Sequence, residues 1–190
     1  MSKGLKEEID KTIEVLKSGG TILYPTDTIW GLGCDATNFE AIDKIYSIKN
    51  RDLNKSFIIL LDDDRKLNKY VREIPEVAWD LLDHSDSPLT IIYPQAVNLP
   101  QNLLAKDGSI AIRIVKDGFV QQLLKKFNKP IVSTSANFSG ELSPKTKKEI
   151  SKKLIESVDY MVEIETENKQ NKSSSIIKLQ INGEIEIIRK

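Results

Sequence analysis

Short apolar runs alternate along this chain with stretches of helical periodicity, and that alternation restricts the fold more than any other feature. TILYP (21–25), SFIILL (56–61), PLTIIYP (88–94), SIAIRIV (109–115) and IVSTS (131–135) have the length and β-branched content of buried strands. Leu5, Ile9, Ile13 and Leu16 recur at helical spacing, and Gly19-Gly20 ends that helix. Asn38 stands where a helix carrying Ile42, Ile45 and Ile48 needs an N-cap. Pro75 suits the first turn of PEVAWDLLDH, and 119–127 and 146–156 read as further helices. LPQNLLAKDG reads as loop with a short helical turn, and VDYMVEIE (158–165) as a strand. IIKLQI and EIEIIR flank Asn182-Gly183, a hairpin signal because both turn residues favour positive φ. The order is not a strict βαβ repeat, and the last hairpin is antiparallel. The expected fold class is therefore α/β: a single domain over 1–190, with a twisted mixed sheet flanked by helices. Neither GxGxxG after the first strand nor GxxxxGK[ST] occurs, which argues against a regular doubly wound nucleotide fold.

Composition narrows the chemistry. Lys plus Arg and Asp plus Glu both total 28 in 190 residues, so no global basic field points to nucleic acid. A local basic patch remains open. Cys34 is the one cysteine, which excludes an intrachain disulfide and a cysteine-rich metal site and fits a reducing cytoplasm. MSKGLKEEIDK lacks an apolar core of signal-peptide length, and no run approaches membrane-spanning length. A soluble, cytoplasmic protein without a membrane partner is expected. His84 is the single histidine and reads as a solvated loop residue past a helix end. A Ser-His-Asp triad or a multi-histidine metal site does not fit. Chemistry must rest on Lys, Arg, hydroxyls, carboxylates and backbone, with no metal held by the protein itself.

Three segments carry candidate chemistry. In YPTDTIWGLG (24–33) a strand gives way to hydroxyls and two glycines, which let backbone N–H groups approach a ligand. Trp30 is either core or a pocket wall, and Cys34 reads as packed rather than reactive. In IKNRDLNKS (48–56), Lys49, Arg51 and Lys55 place three cations between helix and strand. They suit either a polyphosphate or plain solvation. In IVSTSAN, period-two alternation puts Ser133, Ser135 and Asn137 on one face and Thr134 on the other. Ser109 and Arg113 share a face of SIAIRIV by the same rule. An arginine inside an apolar strand must meet an anion, either a protein carboxylate or a bound one. Arg189 raises the same question. Arginines, lysines and hydroxyls without a catalytic histidine suit a nucleotide polyphosphate plus a small carboxylate better than acid–base hydrolysis.

PTDTIWGLGCDA, then KNR, IRI, STSANFSG and a late SSSII before IIR together resemble the YrdC-type threonylcarbamoyl-AMP synthase family in its short, single-domain form. The resemblance implies a YrdC/RibB-like fold. It implies a nucleotidyltransferase that uses ATP, L-threonine and bicarbonate or CO2, with Mg2+ arriving on ATP. The product would serve a separate threonylcarbamoyl transferase complex in t6A modification of adenosine 37 of tRNAs that read codons starting with A. By the same resemblance, Lys49 and Arg51 are the catalytic pair. ATP would meet Lys49, Arg51, Lys55, Ser109, Ser135, Asn137, Ser143 and Arg189. Threonine would meet Thr28, Arg113, Ser133 and Ser174. Asp52 stands where many members have proline, Leu60 where many have histidine, and Trp30 where tyrosine is common. The alternative is a YrdC-like module without synthase activity that binds tRNA or double-stranded RNA by its phosphates. A third option is adenylation of a different amino acid.

Overall fold

The computed structural model describes residues 3–52, 56–144, 146–164 and 173–190. Within them the chain forms one mixed sheet flanked by helices, the expected α/β class. The strands are β1 Ile22–Tyr24, β2 Gly31–Gly33, β3 Ile58–Leu61, β4 Leu89–Tyr93, β5 Ile110–Ile114, β6 Ile131–Ser135, β7 Tyr160–Met161, β8 Ser175–Leu179 and β9 Ile185–Arg189. They lie in the order β7-β1-β2-β6-β3-β5-β4-β8-β9. The pairs β1–β7, β3–β5 and β4–β8 are parallel, and the remaining neighbours are antiparallel.

Strand alternation divides the core between the two faces. Ile22, Tyr24, Leu60 and Ile131 face α1 (Lys3–Lys17) and α4 (Gly118–Phe127), packing with Ile9, Ile13, Leu16, Leu123 and Phe127. Leu23, Ile59, Leu61 and Val132 face the other way, toward Ile42 and Ile45 of α2 (Phe39–Lys49) and Leu82 of α3 (Val77–Asp83). The Asn38 side chain caps α2 by accepting the Ala41 N–H at 3.0 Å, as its position implied.

Four details differ from the sequence reading. GLG is a strand rather than a polar connection, because its glycines let β2 lie against its neighbours. A Cβ on Gly33 would stand 2.2 Å from the Val132 carbonyl oxygen. The helix expected over 146–156 is a single helical turn at Lys147–Glu149, followed by α5 (Lys152–Glu156). Ile150 and Ser151 are extended between them, and the Ser151 hydroxyl caps α5 by accepting the Leu154 N–H. Of the strand expected over 158–165, the described residues form a strand only at Tyr160–Met161, and Glu165 lies outside the described residues. In the last hairpin only Gly183 has positive φ, at 84°. Its N–H donates to the Gln180 carbonyl and the Gln180 N–H donates to Glu184. That is a longer connection closed by one left-handed glycine, not a two-residue turn.

Candidate functional site

A cavity of about 300 Å³ opens on the sheet face that also carries Leu60, at strands the α1–α4 layer leaves uncovered. Its floor follows the pairing register. Ser133 of β6 lies opposite Ile58 of β3, Ile58 opposite Ala111 of β5, and Ala111 opposite Ile92 of β4, and all four line the cavity. Arg113, two residues beyond Ala111, shares that face. The walls come from the strand exits. The β1–β2 connection supplies Thr26, Thr28 and Trp30, and Arg51 follows α2. The β6 end supplies Ser135, and the start of β8 and the end of β9 supply Ser174 and Arg189.

Arg113 is 4% exposed. Its Nη2 donates to Asp27 Oδ1 at 3.0 Å, and its buried Nε has no protein partner. The anion demanded by an arginine in an apolar strand is thus a protein carboxylate, while the same guanidinium still borders open space. Thr28 is fixed by its neighbour. Thr26 Oγ1 donates to the Ile29 carbonyl at 2.7 Å and accepts the Thr28 N–H at 3.0 Å. The two threonine hydroxyls lie 2.9 Å apart. Since the one Thr26 hydroxyl proton goes to Ile29, Thr28 donates to Thr26 and keeps its lone pairs for a ligand hydroxyl.

The cations are held differently. Arg51 Nη2 donates to the Ser56 carbonyl at 3.1 Å, and its guanidinium stacks 5.0 Å from the Phe57 ring centre. Burial lowers its pKa from the usual arginine value. Arg189 donates from Nε at 3.0 Å and from Nη2 at 2.8 Å to the Ser174 carbonyl. Burial, and then the Arg113 cation, lower its pKa. The Ser174 hydroxyl lies 2.7 Å from that of Thr90, which anchors the β8 start to β4.

Lys49 is 1% exposed and is not among the lining residues. Its Nζ donates to the backbone carbonyls of Ser135 at 2.6 Å and Asn137 at 2.5 Å, tying the end of α2 to the β6 exit. Burial, and then Arg51, push its ammonium down to about 8, against the pull of Glu141. Asn137 also turns away from the expected shared face. β6 ends at Ser135, so strict alternation stops there. Asn137 Nδ2 donates to the carbonyls of Phe138 at 2.9 Å and Glu141 at 2.8 Å. Thr134, expected on the opposite face, borders the cavity where the strand leaves the sheet. Ser109 lies at the other end of β5, where its hydroxyl donates to Asp107 Oδ1 at 2.6 Å. Lys178 and Ser109 hold that carboxyl down at about 2. Ser143 is exposed and borders the cavity. Lys55 lies outside the described residues.

The sequence reading did not single out Thr26, Asp27 or Ser56. For Asp27 a signal existed: an acidic residue stood beside Thr28 while Arg113 lacked an anion. Trp30, 4% exposed, is both core and cavity wall. Cys34 is fully buried, and burial raises its thiol pKa well above the ordinary value, which fits packing rather than reactivity. His84 is exposed at the end of α3, with its ring nitrogen 2.8 Å from the Asp80 carbonyl oxygen. Among the described residues no group of three or more His, Cys, Asp or Glu could hold a metal ion, and no helix is long and apolar enough to cross a membrane.

Known proteins resemble this chain in sequence and fold. The Sua5_yciO_yrdC family model, described as "Telomere recombination", matches residues 14–190. A threonylcarbamoyl-AMP synthase of Pseudoalteromonas translucida is 34% identical over 180 residues, covering 93% of this chain and 95% of its own. A putative threonylcarbamoyl-AMP synthase of Methanocaldococcus jannaschii is 36% identical over 180 residues, covering 92% and 84% respectively. The fold of P. abyssi Sua5, solved with L-threonine, superposes with a TM-score of 0.82 at 24% identity over 90% of this chain and 50% of that one. From the first helix to the last strand, this chain belongs to the Sua5/YciO/YrdC family.

Proposed function

We propose that this protein is a threonylcarbamoyl-AMP synthase, condensing L-threonine, bicarbonate or CO2, and ATP into threonylcarbamoyl-AMP and pyrophosphate. The observation that carries the reading is the composition of the cavity. One buried arginine whose Nε has no protein partner, Arg113, stands among hydroxyls, with Arg51 and Arg189 on the same walls and no acidic side chain among the described lining residues. That set matches an amino-acid carboxylate and a polyphosphate side by side. The curated relatives carry synthase names, and the RNA-binding alternative gains nothing from them.

In this reading the threonine carboxylate takes the free edge of Arg113, and the threonine hydroxyl donates to Thr28. Ser133 and Ser174 complete that end. The amine, once neutral, attacks CO2, and a carbamate oxygen of the product attacks the α-phosphorus as pyrophosphate leaves. The carbamate is short-lived, so the cavity gains mainly by holding it in line. Negative charge gathers on phosphate oxygens, where Arg51, Lys55 and Arg189 stabilise it, with Ser135 and Ser143 as donors. Lys49 contributes by fixing the β6 exit that presents Ser135. Mg2+ enters with ATP as part of the substrate, and the neutral hydroxyls of the cavity suit a metal that keeps most of its water. In this reading the product passes to a tRNA-modifying transferase, and the protein works in the cytoplasm.

The test is pyrophosphate release from ATP across the standard amino acids, with and without bicarbonate. Release is expected with threonine and bicarbonate together. Release with another amino acid, or with threonine in bicarbonate-free buffer, would make the protein a different adenylating enzyme.

A further inference from the structure

The cavity walls carry Arg51, Arg113 and Arg189, and none of the described lining residues is acidic. Such a site attracts any multivalent anion, including the phosphates of its own nucleotide, to every arginine. Yet the reaction proposed above, on which this inference rests, needs a neutral zwitterion at one arginine and phosphate at the others. Arg113 and Arg189 differ in one respect. Arg189 donates to a backbone carbonyl, which leaves its positive charge in place. Arg113 instead donates to a carboxylate, Asp27 Oδ1 at 3.0 Å, with the two side chains only 5% and 15% exposed. In so dry a position, one negative charge within contact distance offsets most of the arginine's field beyond it. The guanidinium keeps its hydrogen-bond geometry: its Nε is buried and unpartnered, and its edge borders the cavity.

We infer that Asp27 is a specificity-determining residue, which neutralises Arg113 so that this end of the cavity accepts a zwitterionic amino acid and rejects multivalent anions. The sign follows from charge alone. For a dianion the attraction of Arg113 and the repulsion of Asp27 both double, so the pair together offers it little net pull. A zwitterion has no net charge, and its ammonium is drawn to Asp27. Backbone placement supports the role, since Asp27 lies between Thr26 and Thr28, whose hydroxyl network fixes the connection. Leu60, directly opposite Arg113 on β3, offers no polar group that could take over the task.

The experiment measures L-threonine binding to the full chain by calorimetry at increasing inorganic sulfate, a fixed dianion, for wild type, Asp27→Asn and Asp27→Glu. Melting curves check the fold. Asp27→Asn keeps an oxygen for Arg113 but loses the charge. Sulfate should compete with threonine about tenfold more effectively in that variant, the order expected for removing one buried neighbouring charge. Asp27→Glu should stay near wild type. Unchanged sulfate competition in Asp27→Asn would overturn the inference. So would an equal loss of both ligands with a lowered melting temperature, because that marks a purely structural residue. If the wild type binds no threonine, the proposed function fails. The direct sulfate affinity then decides the Asp27 assignment: a rise in Asp27→Asn supports it and no change overturns it.

Discussion

An Arg51→Ala protein is expected to stay folded and to lose about 100- to 1000-fold in threonine-dependent pyrophosphate release. The rate effect follows from where the side chain stands. Arg51 lines the cavity at the α2–β3 connection, and in the proposed reaction it meets charge that builds on phosphate oxygens only as pyrophosphate departs. The structural loss is small by comparison. Its contacts include one bond to the Ser56 carbonyl and a stack on Phe57, which together amount to about 1–2 kcal/mol. Single-turnover kinetics and a melting curve separate the two. Near-normal turnover in a folded variant would remove Arg51 from the mechanism.

Arg113→Met should affect both substrate binding and stability. Losing a charge-assisted carboxylate contact is expected to raise the threonine KM about 100-fold or more, with the ATP KM little changed. The same substitution leaves Asp27 without its partner in a mostly buried position, which costs about 3 kcal/mol and lowers the melting temperature by about 10 °C. Arg113→Lys should recover part of the stability through a surviving ion pair. It should not recover the KM, because an ammonium cannot hold Asp27 and a second carboxylate in one plane. Equal increases in both KM values would mean that Arg113 only supports the sheet.

The fold was readable wherever periodicity was strong. The α1 and α4 stripes and the apolar runs of β3, β4 and β5 announced themselves, since burial against one face enforces the pattern. β2 was not readable, because its glycines carry no side chain to show alternation and pair instead through close backbone contact. The 146–156 segment has helical spacing throughout, yet Ser151 stops it by capping the next turn. Within the site, Thr28, Ser133, Ser135, Ser143, Ser174, Arg51, Arg113 and Arg189 all line the cavity. Ser133, Ser135, Arg51, Arg113 and Arg189 were visible as hydroxyls and cations in or beside strands, whereas Thr28, Ser143 and Ser174 were singled out only through the family resemblance. Lys49 and Asn137 stood out for the same reasons, but Lys49 Nζ and Asn137 Nδ2 donate to backbone carbonyls, and sequence does not reveal which of two nearby partners a side chain meets. Asp27 went unnoticed because its role depends on Arg113, 86 positions away.

The central claim is that one cavity joins threonine, a one-carbon unit and an adenylate. Incubation with ATP, L-threonine and carbon-13-labelled bicarbonate, followed by rapid mass spectrometry, tests it most directly. The account predicts an adenylate that contains threonine and carries the label, formed in step with pyrophosphate. An unlabelled threonine adenylate, or pyrophosphate release without any threonine adduct, would contradict it.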